Sequence, residues 1–479
     1  MFLGIDIGTS GVKAILLSPD GSLAAQASAP LPVSHPHSLW SEQAPADWWR
    51  ATGHAVRQLP ADLRARVEGV GLAGQMHGAT LLGADDKVLR PAILWNDGRS
   101  HAECAALEQA EPRARAITGN LAMPGFTAPK LLWLRAHEPE IFAAIGTVLL
   151  PKDFVRLCMT GDKASDLSDA AGTLWLDGAA RDWSDAMLSA CGLDRGQMPH
   201  LHEGPAITGT LRAEVAADWG MDRVPAAAGG SDNAAGAAGV GVIADGDALL
   251  SLGTSGVIFV ATDAFRPNPG RAVHAFCHCL PGLWHQMSVH LSAASCLDWG
   301  ARALGMDVSA FLAAAEATGP ASGPELFLPF LTGERTPHND PHLRAGFLGL
   351  GPDSNPGRLA AAVLEGVAFA HADGLDALRE AGTEIASLAV IGGGARSRHW
   401  GTIIAAALGV RLDTLGGGEV GPALGAAKLA LMAVTGASAR EACTRPPVRE
   451  SILPHPLLAE RLAAKRETFR RAVAAIRSM

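Results

Sequence analysis

Asp232 is the acid in this chain best placed to serve as a base, because it follows a glycine turn in Gly229-Gly230-Ser231-Asp232-Asn233 and opens a run of small helical residues. A helix N-terminus carries partial positive charge, which favours the ionised carboxylate that can accept a hydroxyl proton. Helix capping is the plainer use of the same position. Asp6 is the second acid of interest. It lies two residues before Gly8-Thr9-Ser10-Gly11-Val12, a string that recurs letter for letter as Gly253-Thr254-Ser255-Gly256-Val257, about half the chain later. Small residues bare their backbone N–H groups and the hydroxyls add donors, so each turn forms an anion-sized concavity that suits a phosphate. Ser251 stands in the second copy where Asp6 stands in the first. A carboxylate beside a bound phosphate calls for a divalent cation between them, so Asp6 is the candidate for holding Mg²⁺ through water. Two phosphate grips, a metal carboxylate and a base are the parts that phosphoryl transfer needs.

These residues must be carried by strand, turn and strand. Apolar stretches at 3–7 and 249–252 enter the two turns, and others at 12–17 and 257–261 leave them. Pro19-Asp20-Gly21 then predicts a tight turn into a third strand over 22–27. A third glycine-rich feature, Gly392-Gly393-Gly394-Ala395-Arg396-Ser397, ends an apolar strand and precedes a helix over about 397–408 that Ser397 can cap. Three glycines let a ring or ribose lie on the backbone, which makes Gly393, Gly394 and Arg396 nucleoside candidates; a packing turn is the alternative. Two small-residue stretches, 233–239 and 421–427, predict helices whose backbones can cross closely at a hinge. Gly69-Val70-Gly71-Leu72-Ala73-Gly74 matches the spacing of a dinucleotide fingerprint, but its glycines fall inside an apolar run and no helix start follows. No G-x-x-x-x-G-K-[ST] string occurs, which excludes a P-loop assignment by motif.

Three clusters mix a bulky wall with hydrogen-bonding groups, as a polyol pocket requires: Trp40-Ser41-Glu42-Gln43, Gln75-Met76-His77-Gly78 and Trp95-Asn96-Asp97-Gly98-Arg99. His274-Ala275-Phe276-Cys277-His278-Cys279 invites a zinc reading, yet alternate strand residues face opposite ways, and interior packing is the expectation. Residues 461–477 predict a docked amphipathic helix. Composition sets the frame. The chain has 479 residues, 48% hydrophobic and 18% charged, with a net charge of -9, which predicts a packed globular protein of two domains and argues against a nucleic-acid surface. Seven scattered cysteines, no signal-like N-terminus and no long apolar run predict a cytoplasmic protein without a membrane partner.

Residues 4–13, 40–43, 74–78, 95–99 and 125–130, then 229–233, 251–257, Gly333-Glu334-Arg335-Thr336-Pro337-His338, 392–397 and 421–425, together resemble the FGGY carbohydrate kinases of the actin and hexokinase superfamily. Within that family the motifs are most similar to those of members acting on D-xylulose. The resemblance implies an α/β fold of two actin-like, ribonuclease H-like domains, 1–242 and 243–479, closing over a cleft. It also implies transfer of the γ-phosphoryl group of MgATP to the terminal hydroxyl of D-xylulose. By the same resemblance Asp232 is the catalytic base, and Asp6 with Thr9 forms the magnesium and phosphate group, flanked by Ser10 and Lys13. Met76, His77, Trp95, Asp97 and Asn233 are sugar contacts, and Gly253, Thr254, Gly393, Gly394 and Arg396 belong to the nucleotide site. The implied partners are ATP, Mg²⁺ and a sugar, with a homodimer as the assembly to test. Kinases of ribulose, rhamnulose or glycerol, and an actin-like or chaperone-like ATPase, are the alternatives.

Overall fold

The computed structural model describes residues 1–416 and 421–478. Two mixed seven-stranded sheets hold the chain together, one in each half. In the first, β1 (Phe2–Ile7) pairs antiparallel with β2 (Gly11–Leu17), which pairs with β3 (Leu23–Pro30), and β4 (Gly69–Gly74) lies parallel on the other side of β1. Beyond β4 come β5 (Ile207–Thr210) and β6 (Pro225–Ala227), and the short β7 (Gly230–Ser231) joins the end of β4. The helices that serve the site in this half are α1 (Thr127–His137), α2 (Pro151–Thr160), α3 (Leu167–Ala171) and α4 (Asp232–Gly239), the last beginning directly after β7.

The second sheet repeats this plan. β8 (Ala248–Leu252) pairs antiparallel with β9 (Gly256–Thr262), and β10 (His274–Cys277) and β11 (Trp284–His290) continue that side in the order β10-β11-β9-β8. β12 (Ser387–Ile391) lies parallel on the other side of β8, followed by β13 (Arg411–Leu415) and β14 (Val448–Ile452). Each half therefore has a glycine-turn hairpin with a parallel strand on one side and an antiparallel strand on the other. The five-letter repeat is the visible trace of a repeated topology, and both turns sit at the ends of strands, where sheets of this kind bind ligands.

The second half contributes the helices α5 (Ala294–Ala303), α6 (Val308–Thr318), α7 (Pro356–Glu380), α8 (Arg398–Leu408), α9 (Pro422–Thr435) and α10 (Pro456–Arg477). The expected amphipathic end of the chain is α10: Leu462, Phe469 and Val473 are buried against the core, while Arg466 and Arg470 pair with Asp373 at 2.6 and 2.7 Å. Apolar residues at helical spacing dock it, and the arginines fix its register.

α9 belongs to the second half of the sequence but lies across the first sheet. A Cβ at Gly4 would stand 2.0 Å from the Ala423 carbonyl oxygen, one at Gly71 1.9 Å from that of Ala426, and one at Gly425 1.7 Å from that of Ala235 on α4. These contacts explain Gly71, the middle glycine of the fingerprint-like run in β4: it bares the strand so that a helix backbone can touch it, while Gly69 makes room for the Val434 side chain of the same helix. They also show why the two small-residue stretches are small, since α4 and α9 cross backbone to backbone. All seven cysteines are unpaired. No helix among the described residues is long and apolar enough to cross a membrane.

Candidate active site

The β1–β2 turn puts Asp6 opposite Lys13 in register, and the Gly8 N–H closes the turn on the Gly11 carbonyl at 3.0 Å. Behind it lies a chain of side-chain hydrogen bonds. The Trp95 indole donates to Thr9 Oγ1 (3.0 Å), which donates to Gln75 Oε1 (3.0 Å); Gln75 Nε2 donates to Gln43 Oε1 (2.9 Å), and Gln43 Nε2 donates to the Thr9 carbonyl (2.7 Å). Trp48 completes it by donating to Gln43 Oε1 at 2.9 Å. Gln43 and Gln75 are 2% and 1% exposed, so these clusters do not offer their amides to a polyol as expected from sequence; they clamp the phosphate turn from behind. A fully satisfied buried network of this kind holds one geometry, because any break leaves polar groups unpaired.

Asp232 does not cap α4. Ser231 does, accepting from the Ala234 N–H, and Asp232 occupies the first helical position with its Oδ1 accepting from the backbone and side-chain N–H groups of Asn233 at 2.7 and 2.9 Å. The helix terminus is expected to favour the ionised form; burial works against it and raises the carboxyl to about 6, against the lowering by the Asn233 hydrogen bonds. In an eight-residue helix the dipole is small beside the loss of hydration. Asp6 is raised to about 7 by burial and by the charge of Asp232, with Lys13 pulling the other way. A carboxyl whose charge is felt at Asp6 is a near neighbour, so the strand end and the helix start converge on one spot.

That spot suits a cation. Asp6 Oδ1 is buried without a hydrogen-bond partner, and a divalent ion would relieve both its orphaned oxygen and its repulsion from Asp232. Among the described residues no group of three or more His, Cys, Asp or Glu side chains could hold a metal ion. A single carboxylate fits Mg²⁺ bound mainly through water and substrate phosphates. The sign of the Asp6 shift gives a test. Its folded value lies above the ordinary carboxylate value, so the stability it contributes is present below about pH 4 and lost as pH rises through about 7. Without added metal or nucleotide, Asp6→Asn is expected to melt at a higher temperature than the parent at pH 8 and at the same temperature at pH 4; a gain missing at pH 8 would refute the electrostatic account.

His77 is built with care. It follows β4 in a left-handed backbone conformation, φ 69°, and its carbonyl accepts from Lys130 Nζ (2.9 Å) and Thr127 Oγ1 (3.2 Å) on α1. Its Nδ1 lies 2.6 Å from the Gly172 carbonyl, so Nδ1 carries the proton and Nε2 keeps its lone pair. Burial, with the Lys130 charge, pushes its pKa down to about 3, so the ring is a neutral acceptor at physiological pH. A Cβ at Gly172 would stand 2.7 Å from both the His77 ring and Met76 Cε, which fixes Gly172 as the floor beneath them. Phe126 packs edge-on to His77, with ring centroids 4.9 Å apart. Trp95, 41% exposed, stands over the turn, whereas Asp97 is 2% exposed and its two oxygens already take four hydrogen bonds, one from the Ser41 N–H and three from Arg99. Four bonds fill a carboxylate's lone pairs, so Asp97 shapes the wall from behind rather than meeting a hydroxyl.

On the second sheet, α5 is tied to the β8–β9 turn: the Ala293 and Ala294 N–H groups donate to the Thr254 and Gly253 carbonyls, each at 2.9 Å. Beside it a cavity of about 500 Å³ is lined by Gly393, Gly394 and Arg396 together with Leu297, Val308 and Leu312. Glycine backbone on one wall and aliphatic side chains on the other suit a flat base, and the size is that of a small-ligand site. Ser397 caps α8 by accepting from the Trp400 N–H at 3.2 Å, as its position predicts. A larger cavity, about 690 Å³, lies between α7 and α10 and holds none of the candidate residues.

The sequence did not point to Gln43 and Gln75 as a clamp, nor to Lys130, Gly172 and Phe126 as the support of His77. Lys130 had a signal: it is a lone cation inside an otherwise apolar stretch of α1, and it is wholly buried. The His274 to Cys279 run forms an interior wall, with His274 stacked on Phe276 at 5.5 Å.

Comparison with known proteins agrees with this construction. The family model described as "FGGY family of carbohydrate kinases, N-terminal domain" matches residues 1–239, and its C-terminal counterpart matches 248–434. A curated xylulose kinase of Escherichia coli (strain K12) is 56% identical over 477 residues, 98% of each chain, and one of Bacillus subtilis (strain 168) is 37% identical, covering 95% of this chain and 92% of that one. Among solved structures, a "xyloylose kinase" from Brucella ovis superimposes with a TM-score of 0.97 at 49% identity, covering 100% of this chain and 99% of the other. A glycerol kinase from Plasmodium falciparum, at 17% identity, shares the fold with a TM-score of 0.88. With paired sheets, paired glycine turns and both family models in place along it, the chain has the actin-like α/β fold of two domains and belongs to the FGGY family of carbohydrate kinases.

Proposed function

We propose that this protein is an ATP-dependent sugar kinase that transfers the γ-phosphoryl group of ATP to the terminal hydroxyl of D-xylulose, releasing D-xylulose 5-phosphate and ADP. One observation carries the reading: likeness to xylulose kinases runs over nearly the whole length of the chain, at 56% identity across 98% of it. The terminal hydroxyl gives its proton to Asp232 as its oxygen attacks the γ-phosphorus. The β1–β2 turn, with Thr9, Ser10 and Lys13, and the β8–β9 turn, with Gly253 and Thr254, grip the phosphates, while Gly393, Gly394 and Arg396 seat the nucleoside. Asp6 would hold Mg²⁺ through water, and the cation would there neutralise phosphate charge. Met76 and the neutral His77 position the sugar, Trp95 covers it, and Asn233 orients Asp232. Closure of the two halves excludes water, without which ATP would be hydrolysed. The unpaired cysteines suit the reducing cytosol expected from sequence.

A coupled ADP assay over ketopentoses, aldoses and glycerol tests the proposal. D-xylulose is expected to give the highest kcat/KM; a better ribulose, rhamnulose or glycerol rate would replace the substrate, and ADP release that ignores added sugar would favour the ATPase alternative. His77→Ala is expected to raise the sugar KM about tenfold, the worth of one hydrogen bond, with the ATP KM little changed. An unchanged sugar KM would remove His77 from the pocket.

A further inference from the structure

The segment Gly333-Glu334-Arg335-Thr336-Pro337-His338 helps to carry the family resemblance, and the structure gives it a physical task. It is pinned on both sides of Arg335. Glu334 Oε1 accepts from the Leu291 N–H (3.1 Å) and from the Arg335 N–H (2.7 Å), and its Oε2 lies 3.1 Å from His290 Nδ1. One residue on, the Thr336 N–H donates to the Val289 carbonyl (3.0 Å), and Thr336 Oγ1 accepts from the Val289 N–H (3.0 Å) while donating to the Ala272 carbonyl (2.8 Å). The backbone at 335 is thus registered against β11, so its side chain is presented by a rigid edge rather than by a loose loop. Presentation of this kind lowers the entropy lost on binding a ligand.

What the side chain meets is one wall of the sugar site. Arg335 Nη1 lies 3.5 Å from His274 Nε2, too far for a good hydrogen bond, and among the described residues no carboxylate forms an ion pair with its guanidinium. His274 packs edge-on to Phe126 at 5.5 Å, and Phe126 edge-on to His77 at 4.9 Å, so two aromatic rings, His274 and Phe126, link Arg335 to His77 although Arg335 and His77 come from opposite halves of the chain. Its position along the cleft is also fixed. The Arg335 charge is felt at His77 and His274, whereas the charges acting on Asp6 are Asp232 and Lys13. Arg335 therefore belongs to the His77 end of the site and not to the phosphate end.

We propose that Arg335 is a sugar-binding residue supplied by the second half, whose guanidinium donates hydrogen bonds to the carbonyl-bearing end of the ketose, opposite the hydroxyl that faces Asp232. The chemistry is complementary: a guanidinium only donates, a keto oxygen only accepts, and the neutral His77 offers the acceptor that a neighbouring hydroxyl needs. Sugar contacts from both halves also tie ketose binding to closure, so a correct sugar draws the halves together. This inference rests on the proposed kinase function and adds to it the residue that reads the ketone.

Arg335→Met keeps the apolar stem and removes the donors; Arg335→Lys keeps one cationic donor group. The methionine variant is expected to raise the KM for D-xylulose about 10- to 100-fold, the loss of hydrogen bonds from a charged donor, with the ATP KM within about twofold and the lysine variant intermediate. Binding followed by tryptophan fluorescence is expected to weaken more for D-xylulose than for xylitol, which has a hydroxyl in place of the carbonyl. Equal losses for the two ligands, or sugar and ATP KM values that rise together, would overturn the proposal. Should the parent enzyme prefer another ketose, the same comparison with that ketose and its alditol decides the role of Arg335 independently of the substrate's identity.

Discussion

Asp232→Ala is expected to lower kcat by about two to four orders of magnitude while ATP still binds, because the variant loses the proton acceptor but keeps both phosphate turns and the nucleoside cavity. The magnitude follows from what a positioned base contributes, and the geometry supports a base: the carboxyl begins α4, its orientation is held by Asn233 at 2.7 and 2.9 Å, and it lies beside Asp6. The pH profile gives a second reading of the same group. Burial raises Asp232 to about 6, so its basic form is lost as pH falls through that value, and kcat/KM for the sugar is expected to drop about tenfold per unit below about pH 6. A variant with near-normal turnover, or a parent rate flat down to pH 5, would rule out Asp232 as the base. Nucleotide binding is followed separately by equilibrium titration, which distinguishes lost chemistry from lost structure.

Lys152→Met is expected to destabilise the fold by about 3–5 kcal/mol, the usual result of removing one partner from a buried ionic cluster. Lys152 is wholly buried on α2, with Nζ 2.5 Å from Asp153, 2.8 Å from Asp166 and 3.2 Å from Asp169. Burial opposes its charge, but the neighbouring carboxyls more than offset this and hold it above the ordinary lysine value, while burial raises Asp169 well above the ordinary carboxyl value. Methionine fills similar volume and leaves Asp153 and Asp166 without their counter-ion. Urea unfolding measures the loss, and a change under about 1 kcal/mol would show the cluster to be dispensable. Activity should fall as well. Asp166 accepts from Ser168 Oγ, which in turn accepts from the Ser231 N–H at 2.9 Å, one residue before Asp232. Arg156 holds the approach to the same loop through the Ala227 and Ala228 carbonyls. The cluster is therefore the foundation beneath the loop that carries Asp232, and adding Asp166→Asn to Lys152→Met is expected to recover part of the lost stability.

Both turns, the strands around them, the capped helix after the three glycines and the docked C-terminal helix are legible in the sequence. The third strand was placed at 22–27 and is Leu23–Pro30. The clusters around Gln43 and Gln75 were legible as polar groups near bulky walls, but their direction was not, and they face the phosphate turn. The fingerprint-like glycines of β4 could be excluded as a dinucleotide loop, yet the reason for Gly71, contact with the backbone of α9, lies hundreds of residues away. Arg335 was visible only as part of a motif.

The sequence by itself determined the local chemistry: glycine and hydroxyl spacing makes an anion-binding turn, apolar alternation makes the strands, and Asp6 against Ser251 makes the two halves unequal. These follow from sterics and hydrogen bonds within a few residues of one another. Tertiary structure alone decided which groups converge and how they titrate. Burial and a neighbouring carboxyl set Asp6, burial sets Asp232, a glycine on α3's end fixes the His77 tautomer, and a loop of the second half brings the charge of Arg335 near His77 of the first. Hydration and Coulomb energies depend on distance in space, and only the folded chain sets that distance.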